Sequence, residues 1–410
     1  MRLRLVAALL LLPGWAHAES YRITPLQSRE AELGVESFYY PTVETALNRG
    51  NVLGLDPDEA LLRVSGAWKE THGGARFVVR GFVERSLGGT GDETTVTLRQ
   101  GYAQYWWGTG CGLRAGKQRV AWGSGFVWNP TNRLEPAKNP VNASLEQEGV
   151  WAARLDVVPA SWVGAVLVAT RGDTSVGDLP FGSTPAKTDA GALRVRFLVK
   201  DTDLAVVYSG GQDRPSLLGF DLARDVGPLS LHAEGSVYRG SEIPPARNDE
   251  RFFRIVTGAL RIIGETSIAI EYFYNGEGYD DTQMAAYLGG LDAAYAAATD
   301  PRLPAQDQDR ALRQYLAAAA VPYSGGLGLR RHYLEASWSR AHLHGDWTLT
   351  ARALVGLSDG GIGLTPGIGY APRGNVTLNL DGVLLLGPQD SEYRLAPVHG
   401  ALQARVKVLF

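Results

Sequence analysis

Apolar and polar residues alternate with a period of two along most of this chain. About 18 segments carry the pattern, near 31–40, 60–69, 75–86, 94–107, 111–120, 149–158, 161–171, 190–200, 202–210, 215–224, 228–239, 251–263, 266–276, 328–340, 346–357, 361–371, 374–387 and 399–410. A period of two puts successive side chains on opposite faces of a strand. In 149–158, Trp151, Ala153, Leu155 and Val157 share one face, and Arg154 and Asp156 the other. In 190–200, Leu193, Val195, Phe197 and Val199 oppose Arg194, Arg196 and Lys200. In 346–357, Trp347, Leu349, Ala351, Ala353, Val355 and Leu357 oppose Thr348, Thr350 and Arg352. In 374–387, Val376, Leu378, Leu380, Leu384 and Leu386 oppose Thr377, Asn379 and Asp381. Segment 251–263 breaks the rule, because Arg254 and Arg261 have opposite parity. A bulge or an interfacial arginine would each account for it.

The connections sort by length. After even-numbered segments they are short: 70–74, 159–160, 201, 225–227, 264–265 and 372–373. After most odd-numbered segments they are long: 41–59, 121–148, 172–189, 240–250, 277–327 and 388–398. Segments of about 9–11 residues with alternating short turns and long loops describe a bacterial barrel. A soluble sandwich has no reason to sort its loops this way. The pattern predicts an all-β fold: a transmembrane antiparallel up-and-down β-barrel of about 18 strands, with 16 and 20 as neighbouring counts. An even count leaves both termini on the periplasmic side.

Residues 1–18 have the layout of a secretory signal peptide. Arg2 and Arg4 open it, Val6 to Leu12 form its apolar core, and Ala16-His17-Ala18 is the cleavage site. As a retained anchor the apolar run falls short of the roughly 20 residues a bilayer needs. The mature barrel would span 19–410 and lie in the bacterial outer membrane. At the other end, residues 402, 404, 406, 408 and 410 are apolar, while 403, 405 and 407 are polar or charged. A final strand closing on Val406, Val408 and Phe410 resembles the sorting signal that outer-membrane barrels present to their assembly machinery. That machinery and outer-membrane lipid are the partners this resemblance implies.

Composition adds exclusions. Lys and Arg total 40 against 43 Asp and Glu, and removing Arg2 and Arg4 leaves 38 against 43, a mature net charge of −5. That balance gives no reason to expect nucleic acid as a partner. Cys111 is the only cysteine, so neither an intrachain disulfide nor a thiolate metal cluster can form. The 50 glycines, 10 tryptophans and 17 tyrosines suit turns and membrane interfaces. A soluble periplasmic β-protein would share that composition, so topology decides. The histidines are scattered, and His342-x-His344 in a short turn is an isolated pair. No catalytic constellation, cofactor site or metal site is expected.

The most distinctive local sequence is 116–140. It opens Gly116-Lys117-Gln118-Arg119-Val120-Ala121-Trp122-Gly123 and continues through Asn129-Pro130-Thr131-Asn132 to Pro140. The opening resembles the Gly-Arg-Gln-x-Ile-x-Tyr/Trp-Gly strand of porin-like barrels, including alginate-export-type and related exopolysaccharide-secretion barrels, with Lys117 in place of the usual Arg. The resemblance implies an outer-membrane conduit, and periplasmic polysaccharide-export components as further partners. Physically, a long third outer loop rich in Pro, Trp and Phe is stiff. Folded inward, it would narrow the pore. Trp122, Phe126 and Trp128 would offer flat faces to sugar rings. Arg119, Asn129, Arg133, Glu135 and Lys138 would supply polar contacts. The competing reading is a loop packed on the rim.

Segment 277–327 is the second unusual stretch. Met284, Tyr287, Leu288, Leu291 and Tyr295 recur at helical spacing, with Asp281 as N-cap. Leu312, Tyr315 and Leu316 repeat the pattern after Pro301 and Pro304. Two Ala-rich helices on or in the outer mouth would act as a lid or partner surface, or form a helical hairpin packed on other loops.

The inward set mixes Arg76, Arg80, Arg154, Arg194, Arg196, Arg352, Arg405 and Lys407 with Glu84, Asp156, Glu234, Glu271 and Asp381. A hydrated, charged lumen passes polar solutes without stripping their water. The excess of cations would favour anions. The leading expectation is a conduit exporting an anionic polysaccharide. The alternative is an uptake porin, general or substrate-specific, for small hydrophilic solutes. A lipid-side enzyme or a surface adhesin is a third class.

Overall fold

The structure, a computed structural model, describes residues 27–55, 58–87, 94–135, 147–171, 173–175, 185–187, 189–211, 214–241, 243, 247, 249–324 and 328–410. Eighteen strands form one antiparallel sheet. They are β1 (Gln27–Pro41), β2 (Asp58–His72), β3 (Ala75–Ser86), β4 (Thr94–Trp107), β5 (Cys111–Gln118), β6 (Val150–Ala160), β7 (Val163–Thr170), β8 (Ala190–Val199) and β9 (Thr202–Gly211). The second half comprises β10 (Arg214–Val226), β11 (Leu229–Arg239), β12 (Arg251–Ile263), β13 (Thr266–Asn275), β14 (His332–Leu343), β15 (Trp347–Gly356), β16 (Ile362–Arg373), β17 (Val376–Leu386) and β18 (Gly400–Leu409). Each strand pairs with its neighbours in sequence, and β1 pairs with β18, Val35 opposite Val406 and Tyr39 opposite Leu402. The sheet is therefore closed and has no edge, so its ladder hydrogen bonds are satisfied internally, as lipid demands.

Every predicted segment corresponds to one strand. The predicted 328–340 is displaced: β14 starts at His332, and Gly328–Arg330 belong to the outer loops. Phe410 extends the closing seam, donating its N–H to Ala31 at 2.8 Å and accepting from Ala31 N–H at 3.2 Å. The signal-peptide span 1–18 lies outside the described residues.

The two faces divide as the alternation predicts. Leu33, Val35, Phe77, Val79, Trp151, Leu193, Leu380 and Val406 are exposed on the outside. Arg63, Arg114, Asp156, Asp221, Glu234, Glu271, Glu335 and Gln403 are buried on the inside. Such a continuous apolar exterior is a lipid-contact surface. The conflict in 251–263 is resolved without a bulge. Strand β12 pairs with β11 and β13 without a shift. Arg254 points inward to Glu277, 3.2 Å away, while Arg261 is exposed on the outer face near the periplasmic end. It is an interfacial arginine.

The long loop between β13 and β14 carries α1 (Asp281–Thr299), α2 (Ala305–Ala319) and the short α3 (Val321–Ser324). The cap of α1 lies one residue earlier than expected. Asp280 accepts from Gln283 N–H at 2.9 Å, and the Gln283 side chain accepts from Asp280 N–H at 3.0 Å, a reciprocal capping box. Met284, Leu291, Tyr315 and Ala319 pack with Leu47, Ile243, Leu329 and Leu395 into an apolar cluster. That cluster unites four outer loops into a helical cap. A four-residue turn, α4 (Glu392–Leu395), sits in the last outer loop.

Candidate functional site

The described part of the third outer loop, residues 119–135, folds into the barrel. Two carboxylates on the far wall hold it. Glu234 of β11 accepts from Ser124 N–H at 3.1 Å, Asn129 Nδ2 at 3.2 Å, Thr131 N–H at 2.7 Å and the Thr131 hydroxyl at 2.6 Å. Glu271 of β13 accepts from the N–H groups of Phe126, Val127 and Trp128, the last two at 3.0 Å. The ring of His232 lies 3.0 Å from the same carboxylate. Both glutamates have no solvent exposure. A buried carboxylate is costly unless several donors converge on it, and here the loop backbone supplies them. Gly123 makes this approach possible: its φ is +92°, and a Cβ there would sit 2.3 Å from a Glu234 oxygen.

The loop's apolar side chains fasten the same segment. Trp128 is 2% exposed and stacks on Phe273 at 5.0 Å between centroids, with Tyr333 at 5.8 Å. Trp122 is 4% exposed, in a cluster with Leu134, Val150, Val168 and Val207. Phe126 meets the His232 ring edge-on at 4.5 Å. The expectation that Trp122 and Trp128 offer faces to passing sugar rings is therefore corrected: their faces are spent against the barrel wall. The polar residues also turn to internal bonds. Arg119 lies 3.6 Å from Glu135, and Glu135 accepts from Val120 N–H. Asn129 donates to Gly125 at 3.0 Å as well as to Glu234. The Arg133 guanidinium lies 5.1 Å over the Tyr238 ring. Lys138 lies outside the described residues.

In the two clusters that hold the loop, the wall residues come from β6 to β9, from β12 to β15 and from β17. Strands β18 and β1 to β5 contribute none among the described residues. Their inward cations are Arg63, Arg76, Arg80, Arg99, Arg114, Arg405 and Lys407, against Glu32, Glu36 and Glu84, with Lys69 and Glu30 paired at the periplasmic rim. Arg76, Gln104, Arg114 and Arg154 are direct cross-strand neighbours on β3 to β6. Arg114 donates to Gln104 Oε1 at 3.0 and 3.2 Å.

Most of the predicted inward cations face a carboxylate. Arg80 pairs with Glu32 (3.5 Å), Arg154 with Asp156 (2.7 Å), Arg194 with Asp221 (3.0 Å) and Arg352 with Glu335 (3.2 Å). Arg196 pairs with Asp203, Arg405 with Glu36 (3.4 Å) and Lys407 with Glu32 (2.9 Å). Asp381 faces inward opposite Gly367 and Gln403. The cation excess is thus smaller than the sequence alone predicts, because Glu32, Glu36, Asp203, Asp221 and Glu335 also face inward. Arg63, Arg99 and Arg114 were missed on the other side, although each sits at a polar position in an alternating segment.

No protein-family model matches the sequence, and a comparison with curated proteins returns no match. Solved structures do resemble it. OccK2 (OpdF) of Pseudomonas aeruginosa superposes with a TM-score of 0.57 at 11% identity, covering 93% of this chain and 98% of that one. OpdK of the same organism, solved with vanillate, gives 0.56 at 10% identity with the same coverage of both chains. The outer membrane protein OprD of Pseudomonas aeruginosa gives 0.53 at 11% identity, covering 93% of each chain. These likenesses support a porin-type barrel and lend nothing to an alginate-export-type assignment. The molecule has the fold of an 18-stranded outer-membrane porin barrel.

Proposed function

We propose that this chain is an outer-membrane channel for the uptake of small hydrophilic solutes, with a preference for anions. The carrying observation is the inward loop fastened by Glu234 and Glu271. A lumen crossed by a fixed segment and capped by packed helices suits small solutes better than a polymer chain. The expectation of polysaccharide export, and of export components as partners, yields to this reading. The solved barrels support it too, since OpdK is one whose structure holds a small aromatic acid.

In this reading the constriction lies between the fastened loop and the wall formed by β18 and β1 to β5. Arg76 and Arg114 on that wall, continued by Arg154 of the adjoining β6, form a cationic row beside it. Cations around a hydrated path raise the local anion concentration while leaving solutes their water. The loop residues 119–135 set the width, and the wall sets the charge. Outer-membrane lipid surrounds the barrel, and the assembly machinery would read the strand ending in Val406, Val408 and Phe410.

Planar-bilayer recording tests the reading. The channel should be anion-selective at low salt, and removing residues 126–135 should raise its conductance. Unchanged conductance would move the loop from the constriction to a purely structural role.

A further inference from the structure

The turn α4 touches two apolar clusters that otherwise belong to different parts of the molecule. Tyr393 packs in the cluster that holds Val127 and Trp128 of the inward loop. Leu395, two residues on, packs in the cluster of the helical cap with Leu291 and Tyr315. Positions i and i+2 of a helical turn point in different directions, so one short turn reaches both. The Leu395 carbonyl also accepts from the Thr45 hydroxyl at 2.7 Å, tying in the first outer loop.

Tyr333 adds a polar route alongside. Its ring flanks Trp128. Its hydroxyl donates to Glu392 and accepts from Arg330 N–H at 2.6 Å. Glu392 also accepts from Leu329 N–H at 2.8 Å, and Leu329 is a cap residue. The Arg330 guanidinium reaches the Asp280 carbonyl at 3.1 Å, at the base of α1. Gly328 has φ +92°, and a Cβ there would lie 2.3 Å from the Tyr333 hydroxyl. The backbone closes over this hydroxyl in a way only glycine permits.

We propose that the Glu392–Leu395 turn is a mechanical coupler, so that loosening the helical cap at the outer mouth loosens the inward loop. The channel would then respond to events on its outer surface at a constriction deep inside. The proposal holds whichever solute passes, because it rests on contacts and not on transport. A packed cluster has discrete arrangements rather than a continuous range, which lets a change at one end reach the other.

Labelling kinetics test it on the full barrel in detergent or lipid. In a Cys111→Ser background, Ser124→Cys reports the loop and Ala319→Cys reports the cap. Leu291→Ala leaves a cavity in the cap cluster and should speed labelling at both reporters, by about 5-fold or more at Ser124→Cys. Adding Tyr393→Ala should abolish the extra effect of Leu291→Ala on Ser124→Cys, since the two clusters are then disconnected. Faster labelling at Ala319→Cys with no change at Ser124→Cys would overturn the proposal. If Leu291→Ala does not assemble, Tyr315→Phe serves instead. It removes only the hydroxyl that donates to the Ala46 carbonyl and accepts from Arg49 N–H, and the same two outcomes decide.

Discussion

Glu234 accepts hydrogen bonds from both the backbone N–H and the hydroxyl of Thr131, at 2.7 and 2.6 Å, although 103 residues separate them in sequence. This contact, with its counterpart at Glu271, turns a surface loop into an internal partition. Replacing Glu234 by Ala would leave several buried donors without an acceptor, at about 1–3 kcal/mol for each one unsatisfied. The expected result is a lower unfolding temperature, larger single-channel conductance and more current noise. Glu234→Gln keeps the shape and one acceptor oxygen and should lie between that variant and the native channel. Native conductance in Glu234→Ala would show that the loop is held without the carboxylate.

The strands themselves were legible in the sequence, because period-two alternation is written in each one separately. Trp347 to Leu357 could be assigned with no knowledge of its neighbours. The clamp was not legible. Glu234 and Glu271 stood out only as inward carboxylates, and nothing local says that their partners lie in a loop more than 100 residues earlier. For the same reason Trp128 read as an exposed platform. An aromatic ring in a polar loop gives no hint of Phe273 and Tyr333 waiting on the opposite wall.

Charge reversal should rank the lumen arginines. Arg194, Arg196 and Arg352 each sit against their own carboxylate, so each contributes less to the field along the pore. Arg76, Gln104, Arg114 and Arg154 follow one another across β3 to β6, so three cations lie together in one cross-strand row. Arg76→Glu with Arg114→Glu should shift the reversal potential toward cations more than Arg194→Glu with Arg196→Glu. Both shifts should shrink at 1 M salt, where the Debye length is about 3 Å. Equal shifts from the two pairs would contradict the ranking.

Gly328→Ala should damage the outer mouth and spare the barrel. The residue would be held in a left-handed conformation, at about 1–2 kcal/mol for a side chain, and its methyl group would collide with the Tyr333 hydroxyl. Limited proteolysis from outside should cut the 277–327 segment faster in the variant, with heat-modifiable mobility of the barrel retained. Native protease resistance would count against the role given to Tyr333.

Glu392 should make the cap sensitive to pH. Burial pushes its carboxyl from the ordinary 4.5 up to about 7, and the Asp359 carboxylate adds to the rise, against hydrogen bonds from Tyr333 and Leu329. The folded state therefore holds this proton more tightly than the unfolded chain does. Its contribution to stability is intact below about 4.5 and is lost as pH rises toward about 7. Hydrogen-exchange protection in 388–398, taken relative to the intrinsic rate at each pH, should fall across that window, and Glu392→Gln should flatten the dependence. An equally steep dependence in Glu392→Gln would assign the titration to another group.

The size of what passes through tests the central claim most directly. Purified channel in liposomes should admit small hydrophilic acids, with entry falling steeply for solutes of a few linked sugars. The cutoff should move to larger solutes when residues 126–135 are removed. A long anionic glycan crossing the intact channel as readily as a single sugar acid would contradict the account and restore polymer export.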